Sequence, residues 1–379
     1  MRRYVALVLL AALLAGSSGR QMEEELLVIV LAADQTEEGG CRLTVKAPAS
    51  AGQQDGDKAY LALEASGGSF AEAMMLLHAS TPRKLNFSQV REIMISSAAA
   101  ESPSLFPLLA QIEALPRMRG TAAVVVCLGS ACDAAQRIKP YMGLRLSRYT
   151  EDSLADAASK GFTPSTTLAQ ALREAGSHLM DPLLILGAVN PRAGEEKGGN
   201  DAGGGPDAGG SPGLQVQAGG LHRSSADPID LFGAAATDGE RVTGYLTGDE
   251  MALLHLLTGS GHFYAQNLNA QPVTLHARGP AQLQVDLEPR PIRLSIRLLC
   301  DVRLSPATDI DVDALRRQTE RAALALIRHL QQLQCDALGF GEKAVRQMCL
   351  LRDWEALRFP ALYREAAVDV SFSLRLRAD

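Results

Sequence analysis

The chain has 379 residues, 43 acidic and 37 basic, giving a formal charge of −6, and 46% of it is apolar. That length fits two or three domains of about 100–200 residues each. The acidic balance excludes a broad nucleic-acid surface, and a mean hydropathy of zero excludes a polytopic membrane protein.

In chain order, Arg2 and Arg3 precede an uncharged run from Tyr4 to Gly16. As a helix it would measure about 20 Å, short of the roughly 30 Å of bilayer hydrocarbon. Residues 1–19 are therefore expected to be a signal peptide or weak membrane anchor, and the rest an exported chain. Leu26–Ala32 is a short apolar run, and Arg42–Lys46 alternates after the turn at Glu38–Gly40, which predicts a hairpin. Ser69 with Glu72 reads as a capping box opening a helix through Phe70, Met74, Leu77 and His78. Val90–Ile95 and Thr121–Leu128 read as strands, and Leu105–Leu115 as a helix. Ser130 with Asp133 caps another helix, and Thr167–Ala175 gives one more.

From Gly198 to Gly220, ten of 23 residues are glycine. Such a segment cannot bury enough apolar area to offset its conformational entropy, so 192–226 is expected to be a flexible linker. It would join an N-terminal domain, 20–191, to a C-terminal domain, 227–379. Beyond it, Arg241–Leu246 is a strand and Thr247 with Glu250 a capping box before Met251, Leu254 and Leu257. Asp249 and Glu250 sit in a first helical turn, where acids favour the helix dipole rather than forming a catalytic pair. Val273–His276, Gln282–Leu287 and Ile292–Leu304 alternate as antiparallel strands. The longest predicted helix covers Asp311–Leu338 and ends at Gly339-Phe340-Gly341, and Val368–Leu376 closes the chain as a period-two strand. The fold class predicted is α+β, with antiparallel or mixed sheets.

The chemistry-bearing patterns are sparse. The sequence contains no G-x-S-x-G, no H-E-x-x-H, no Walker A motif and no G-x-G-x-x-G in a strand–turn–helix frame. The seven histidines are not at metal-ligand spacing, and Gly259 and Gly261 separate His255 from His262. The six cysteines are too few for a disulfide framework in a chain this long and read as small buried hydrophobes. These readings predict no catalytic residue, no cofactor and no metal.

Several stretches together resemble the GerAC (Ger(x)C) family, the C subunits of nutrient germinant receptors in endospore-forming bacteria. Leu330 to Asp336, then Gly339-Phe340-Gly341, then Trp354 and a terminal alternating strand, are similar to the family's C-terminal end. Gly233–Glu250 resembles its entry into the C-terminal domain, Arg83–Arg91 a strand of its N-terminal domain, and Glu25–Lys46 its opening hairpin. Gln89 stands where the family usually has histidine. The resemblance implies mixed α/β domains, no catalysis, and work in spore germination beside membrane-embedded A-type and B-type partner subunits. It makes Asp336, Gly339, Phe340, Gly341 and Trp354 the motif residues. It also implies a lipoprotein on the outer face of the inner spore membrane. Leu14-Ala15-Gly16, however, is followed by Ser17 where a lipidated chain needs cysteine, and a serine hydroxyl is not comparably activated for thioether formation. No lipid on this position is therefore expected. The alternative reading is an exported solute-binding protein with its own small-molecule site.

Overall fold

The computed structural model describes residues 24–49, 60–140, 145–190, 216–221, 227–259, 262–268, 271–288, 290–304 and 311–377. The expected signal segment with Ser17, and linker residues 192–215 and 222–226, lie outside the described residues.

The first part runs β1 (Glu25–Leu27), β2 (Val30–Gln35), β3 (Cys41–Pro48), β4 (Tyr60–Gly67), α1 (Phe70–Ala79), β5 (Lys84–Asn86) and β6 (Glu92–Ser96). It continues with the single turn α2 (Ser97–Ala100), α3 (Leu105–Glu113), β7 (Ala123–Leu128), α4 (Ala131–Arg137), α5 (Leu146–Ser159), α6 (Leu168–Ser177) and β8 (Leu183–Val189). The second part runs β9 (Ile229–Thr237), β10 (Val242–Leu246), α7 (Gly248–Thr258), β11 (His262–Leu268), β12 (Gln271–Ala277), β13 (Gln282–Asp286) and β14 (Arg293–Leu304). Then come α8 (Val312–Gln332), α9 (Phe340–Val345), α10 (Leu351–Leu357), α11 (Phe359–Glu365) and β15 (Ala367–Arg377).

An eight-stranded sheet has the order β10-β9-β8-β7-β6-β2-β3-β4. Its four central strands are parallel and its flanks antiparallel. Side chains alternate between two apolar layers. Leu31, Ile93, Val124 and Leu184 face α1, α3 and α6, while Val30, Met94, Val125 and Ile185 face α4 and α5. Burial on both faces is why β6 and β7 read as unbroken apolar runs rather than alternating ones. A five-stranded sheet in the second part holds β14 at its centre. β12 and β13 share one edge of it, and β15 lies parallel along the other. Helices including α7 and α8 cover one face of that sheet, and the opposite face is open to solvent. The architecture is α+β with mixed and antiparallel sheets, as the sequence predicts.

Three expectations need correction. First, the boundary at 227 does not separate two sheets. β9 and β10 lie beyond it yet complete the N-terminal sheet, β9 pairing with β8 from Leu183↔Ala236 to Val189↔Ile229. The end of the expected linker is also packed: Ala218 is buried, donates its N–H to the Phe232 carbonyl at 2.9 Å, and Val216 accepts from Gly248 N–H. Second, the run Leu26–Ala32 is two strands, because the backbone changes partner at its middle: Val28 N–H donates to Asn86 and Ile29 N–H to Lys46. Third, the long helix stops at Gln332 instead of Leu338. Gln334 takes a left-handed conformation (φ 57°), and Cys335 N–H donates to Leu330 O while Gln334 N–H donates to Gln331 O. That is a Schellman closure without glycine, so composition did not announce it. Gly339-Phe340-Gly341 accordingly does not end this helix; it starts α9.

The caps follow their chemistry. Thr247 and Glu250 form a reciprocal box: Thr247 N–H donates to Glu250 Oε2 at 2.8 Å, and Glu250 N–H to Thr247 Oγ1 at 3.4 Å. At α1, Ser69 accepts from Glu72 N–H, but the Glu72 carboxylate takes the N–H of Gly68 instead of Ser69's own.

Candidate functional site: a clasp between the two sheets

The motif residues meet at the junction of the two parts of the molecule. After the Schellman turn, Asp336 is 6% exposed, and its carboxylate accepts the N–H of Phe340 at 2.9 Å and of Gly341 at 2.7 Å. It thereby satisfies two of the free amides that open α9. Gly339 precedes that helix with φ 75°, where a side chain would be strained. Across the junction, Asp336 N–H donates to the Asp181 carboxylate at 2.7 Å, and Asp181 N–H returns a bond to Asp336 O at 3.2 Å. Gly341 lies flat against the same loop: a Cβ there would sit 2.5 Å from the Leu179 carbonyl oxygen. The stretch from Leu179 to Pro182, ahead of β8, is therefore held against α9 by main-chain contacts that leave no room for a side chain.

Further bonds close the clasp. Thr243 Oγ1 donates to Leu333 O at 2.6 Å, and Thr237 Oγ1 to Pro182 O at 2.8 Å. Behind the motif, Phe340 is fully buried with its ring centre 6.2 Å from Tyr363, which lies 6.3 Å from Phe359, which stacks on Trp354 at 5.4 Å. The structure thus brings together Asp336, Gly339, Phe340 and Gly341, and places Trp354 at the far end of an aromatic chain leading to them. Tyr363 hydroxyl donates to Cys335 O, and Gln331 Nε2 donates to the carbonyls of Tyr363 and Ala366.

Burial pushes the Asp336 carboxyl up to about 7, opposed by the amides of Gly341 and Phe340 and reinforced by Asp181. Burial likewise pushes Asp181 up to about 6, opposed by the Asp336 amide and reinforced by Asp238. Beside the clasp is a cleft of about 250 Å³ between α6 and α7, lined by Gln170, Glu174, Met180, Met251, His255 and Thr258 among others. Burial raises the Glu174 carboxyl above the usual range, and His255 Nε2 lies 3.0 Å from Thr163 O.

Elsewhere the chain's charged side chains do structural work that the sequence did not reveal. The Asp34 carboxylate accepts Ala131 N–H at 2.7 Å, Cys132 N–H at 3.2 Å and Ser130 Oγ at 2.6 Å, at the start of α4. Lys46 Nζ donates to the carbonyls of Ala135, Gln136 and Ile138 at its end, and burial pushes that amine down to about 8. The seven-residue helix is clamped at both poles by one hairpin, each charge matched to the dipole. Glu92 is fully buried beside a cavity of about 20 Å³ with Thr150 and Asp227, and burial, with Asp227 adding, pushes its carboxyl up to about 8. Four cysteines are buried, Cys41 half-buried and Cys349 exposed, and all are free. Among the described residues no cluster of three or more His, Cys, Asp or Glu is placed to hold a metal, and no helix is long and apolar enough to cross a membrane.

With the geometry described, comparison with known proteins gives the class: residues 18–187 match the family model described as the spore germination protein N-terminal domain. That match supports the resemblance to the GerAC family of spore germination proteins over the N-terminal domain. Among solved structures, the crystal structure of the GerBC protein is similar at 12% identity and a TM-score of 0.49, over 92% of this chain and 97% of that one. No curated protein matches the sequence.

Proposed function

We propose that this protein is the non-catalytic C subunit of a nutrient germinant receptor, acting with A-type and B-type membrane subunits at the outer face of the inner spore membrane. The observation that carries this reading is the spore germination domain over residues 18–187. The structure adds a mechanical argument. A clasp built from main-chain contacts at Asp181, Asp336 and Gly341 couples the eight-stranded sheet to the second part, which suits a subunit that transmits or braces rather than one that turns over substrate. The uncharged segment Tyr4–Gly16 is consistent with export, and Ser17 argues for attachment by something other than a thioether-linked lipid. Tagged protein solubilised from spore membranes should co-purify two membrane subunits. A strain lacking the gene should fail to germinate with nutrients yet respond to stimuli that bypass the receptors. Normal nutrient germination in that strain, with no other copy of the family present, would overturn the reading.

A second reading, solute binding, is favoured by one feature, the 250 Å³ cleft with Gln170, Glu174, His255 and Thr258 on its walls. Filling it with Thr258→Trp should leave germination intact if the protein is a bracing subunit, and abolish the response to one nutrient class if the cleft holds a ligand.

A further inference from the structure

The solvent face of the five-stranded sheet carries a charge opposite to that of the whole chain. Strand alternation places Arg293, Arg297 and Arg303 of β14 on it, joined in register by Arg375 and Arg377 of β15, with Arg278 just beyond β12. All six side chains are exposed. The acids on the same face are Asp286, Asp301 and Asp369, so this face is net positive in a protein of net charge −6. Asp301 is already committed: Arg278 Nε reaches it at 2.9 Å and Arg377 Nε at 3.2 Å. Among the described residues Arg293, Arg297 and Arg303 form no ion pair. Arg303 moreover stands directly opposite Arg377 in the register, a like-charge pairing that costs the sheet stability. The fold gains nothing from that arrangement; an anionic surface would.

We infer that this arginine face docks on anionic phospholipid headgroups. The reasoning rests on the receptor reading, which puts the protein at a membrane. Guanidinium forks match phosphate oxygens bidentately. The residues between the arginines are small and polar: Ser295, Ser371 and Ser373, with Gln282 and Gln284 on β13. Leu299 is the one large apolar side chain exposed on this face of the described residues. A protein partner needs buried aromatic or aliphatic anchors at the centre of its interface, and among the side chains described on this face Leu299 is the only large exposed apolar one. A charged lipid surface needs no anchors. At about 3.3 Å per residue, Arg293 to Arg303 spans roughly 33 Å, enough to meet several headgroups at once. The short apolar segment 4–16 supplies at most one weak membrane signal, and stable anchoring generally takes two.

The test uses the purified full chain and sedimentation with vesicles of phosphatidylcholine, with or without one-third phosphatidylglycerol. Each arginine near an anionic surface is worth about a fivefold factor, so R293Q/R297Q/R303Q should bind the anionic vesicles roughly a hundredfold more weakly. Wild type should lose the same affinity at about 1 M salt, where the screening length is roughly 3 Å. Binding to neutral vesicles should be the same for both proteins. The control R148Q/R173Q/R241Q, which removes three exposed arginines elsewhere, should keep wild-type affinity. If the triple variant does not fold, R297Q alone should show its fivefold loss. The inference is overturned if the triple variant binds within a factor of two of wild type, or if the control loses as much. It also fails if duplex DNA at equal phosphate concentration strips the protein from the vesicles, which would assign the face to nucleic acid. Failure of the receptor reading would appear in the co-purification and germination assays, independently of vesicle binding.

Discussion

Gly341→Ala reads the clasp directly, because two effects of opposite sign compete there. Gly341 lies in the first turn of α9, and alanine is favoured over a helical glycine by at most roughly 0.5–1 kcal/mol. Taken alone, that would stabilise the protein. The new Cβ, however, would sit 2.5 Å from the Leu179 carbonyl oxygen and 3.1 Å from its carbon, both main-chain atoms that cannot rotate away. Relief requires separating the loop at 179–182 from α9, at an overpacking cost of about 1–3 kcal/mol. That separation also strains the 2.7 Å bond from Asp336 N–H to the Asp181 carboxylate, a charge-assisted bond worth about 1.5–3 kcal/mol. The net expectation is a destabilisation of about 2–4 kcal/mol. Urea unfolding followed by Trp354 fluorescence suits the measurement, since Trp354 is the sole tryptophan and packs in the same part of the molecule. With a slope of roughly 2 kcal/mol/M, the midpoint should fall by about 1–2 M. The paired control is Gly176→Ala in α6, whose Cβ meets nothing within 4 Å and which should gain roughly 0.5–1 kcal/mol. A midpoint that rises for Gly341→Ala as it does for Gly176→Ala would refute the close approach, and with it the clasp.

Further tests probe other contacts. Phe340→Ala empties a fully buried site beside Tyr363 and should cost about 3–5 kcal/mol by the same fluorescence assay; a cost below about 1 kcal/mol would mean the ring is not packed. Glu92 takes up its proton more readily folded than unfolded, so its contribution is present below its ordinary value of 4.5 and lost as pH rises toward about 8. Glu92→Gln should therefore flatten the fall in Tm between about pH 5 and pH 8, while Asp336 and Asp181, shifted the same way, leave a residual slope; identical profiles would sink this account. Deleting residues 198–213 should change the stability by less than about 1 kcal/mol, since loop-closure entropy varies slowly with length. Extending that deletion through 221 should cost clearly more, because Ala218 and the Val216 carbonyl are packed and bonded; equal costs would show that the packed segment contributes nothing.

Local chemistry was legible in the sequence where it is short-range. Ser130, Thr167 and Thr247 announce their helices because a capping hydroxyl acts within three residues. The alternating strands β12 to β15 were readable because one face is wet. Long-range pairing was not legible. Nothing near Asp181 marks it as the partner of Asp336, since the two are brought together only by the fold. The motif residues were identified by resemblance, and their bonding, with Asp336 serving two amides of α9, has no local signature beyond an aspartate ahead of a glycine. β8 and β9, rich in alanine and leucine, carry no periodicity that says which sheet they join, whereas the glycines between them read as a domain boundary. The helix end at Gln334 is silent in the sequence because a left-handed glutamine gives no compositional cue.

The eight-stranded sheet closes only when β9 arrives, after the glycine-rich stretch, and this sets an order on synthesis. While residues beyond 191 are still being made, β8 presents a bare row of amides and carbonyls along an apolar strand, the kind of edge that recruits other chains. Pairings such as Leu183 with Ala236 form late and slowly, because the intervening loop must close before they yield any stability. A nascent chain halted before Ile229 is thus an aggregation hazard rather than a finished half-molecule. Only the arrival of β9 and β10 seals that edge.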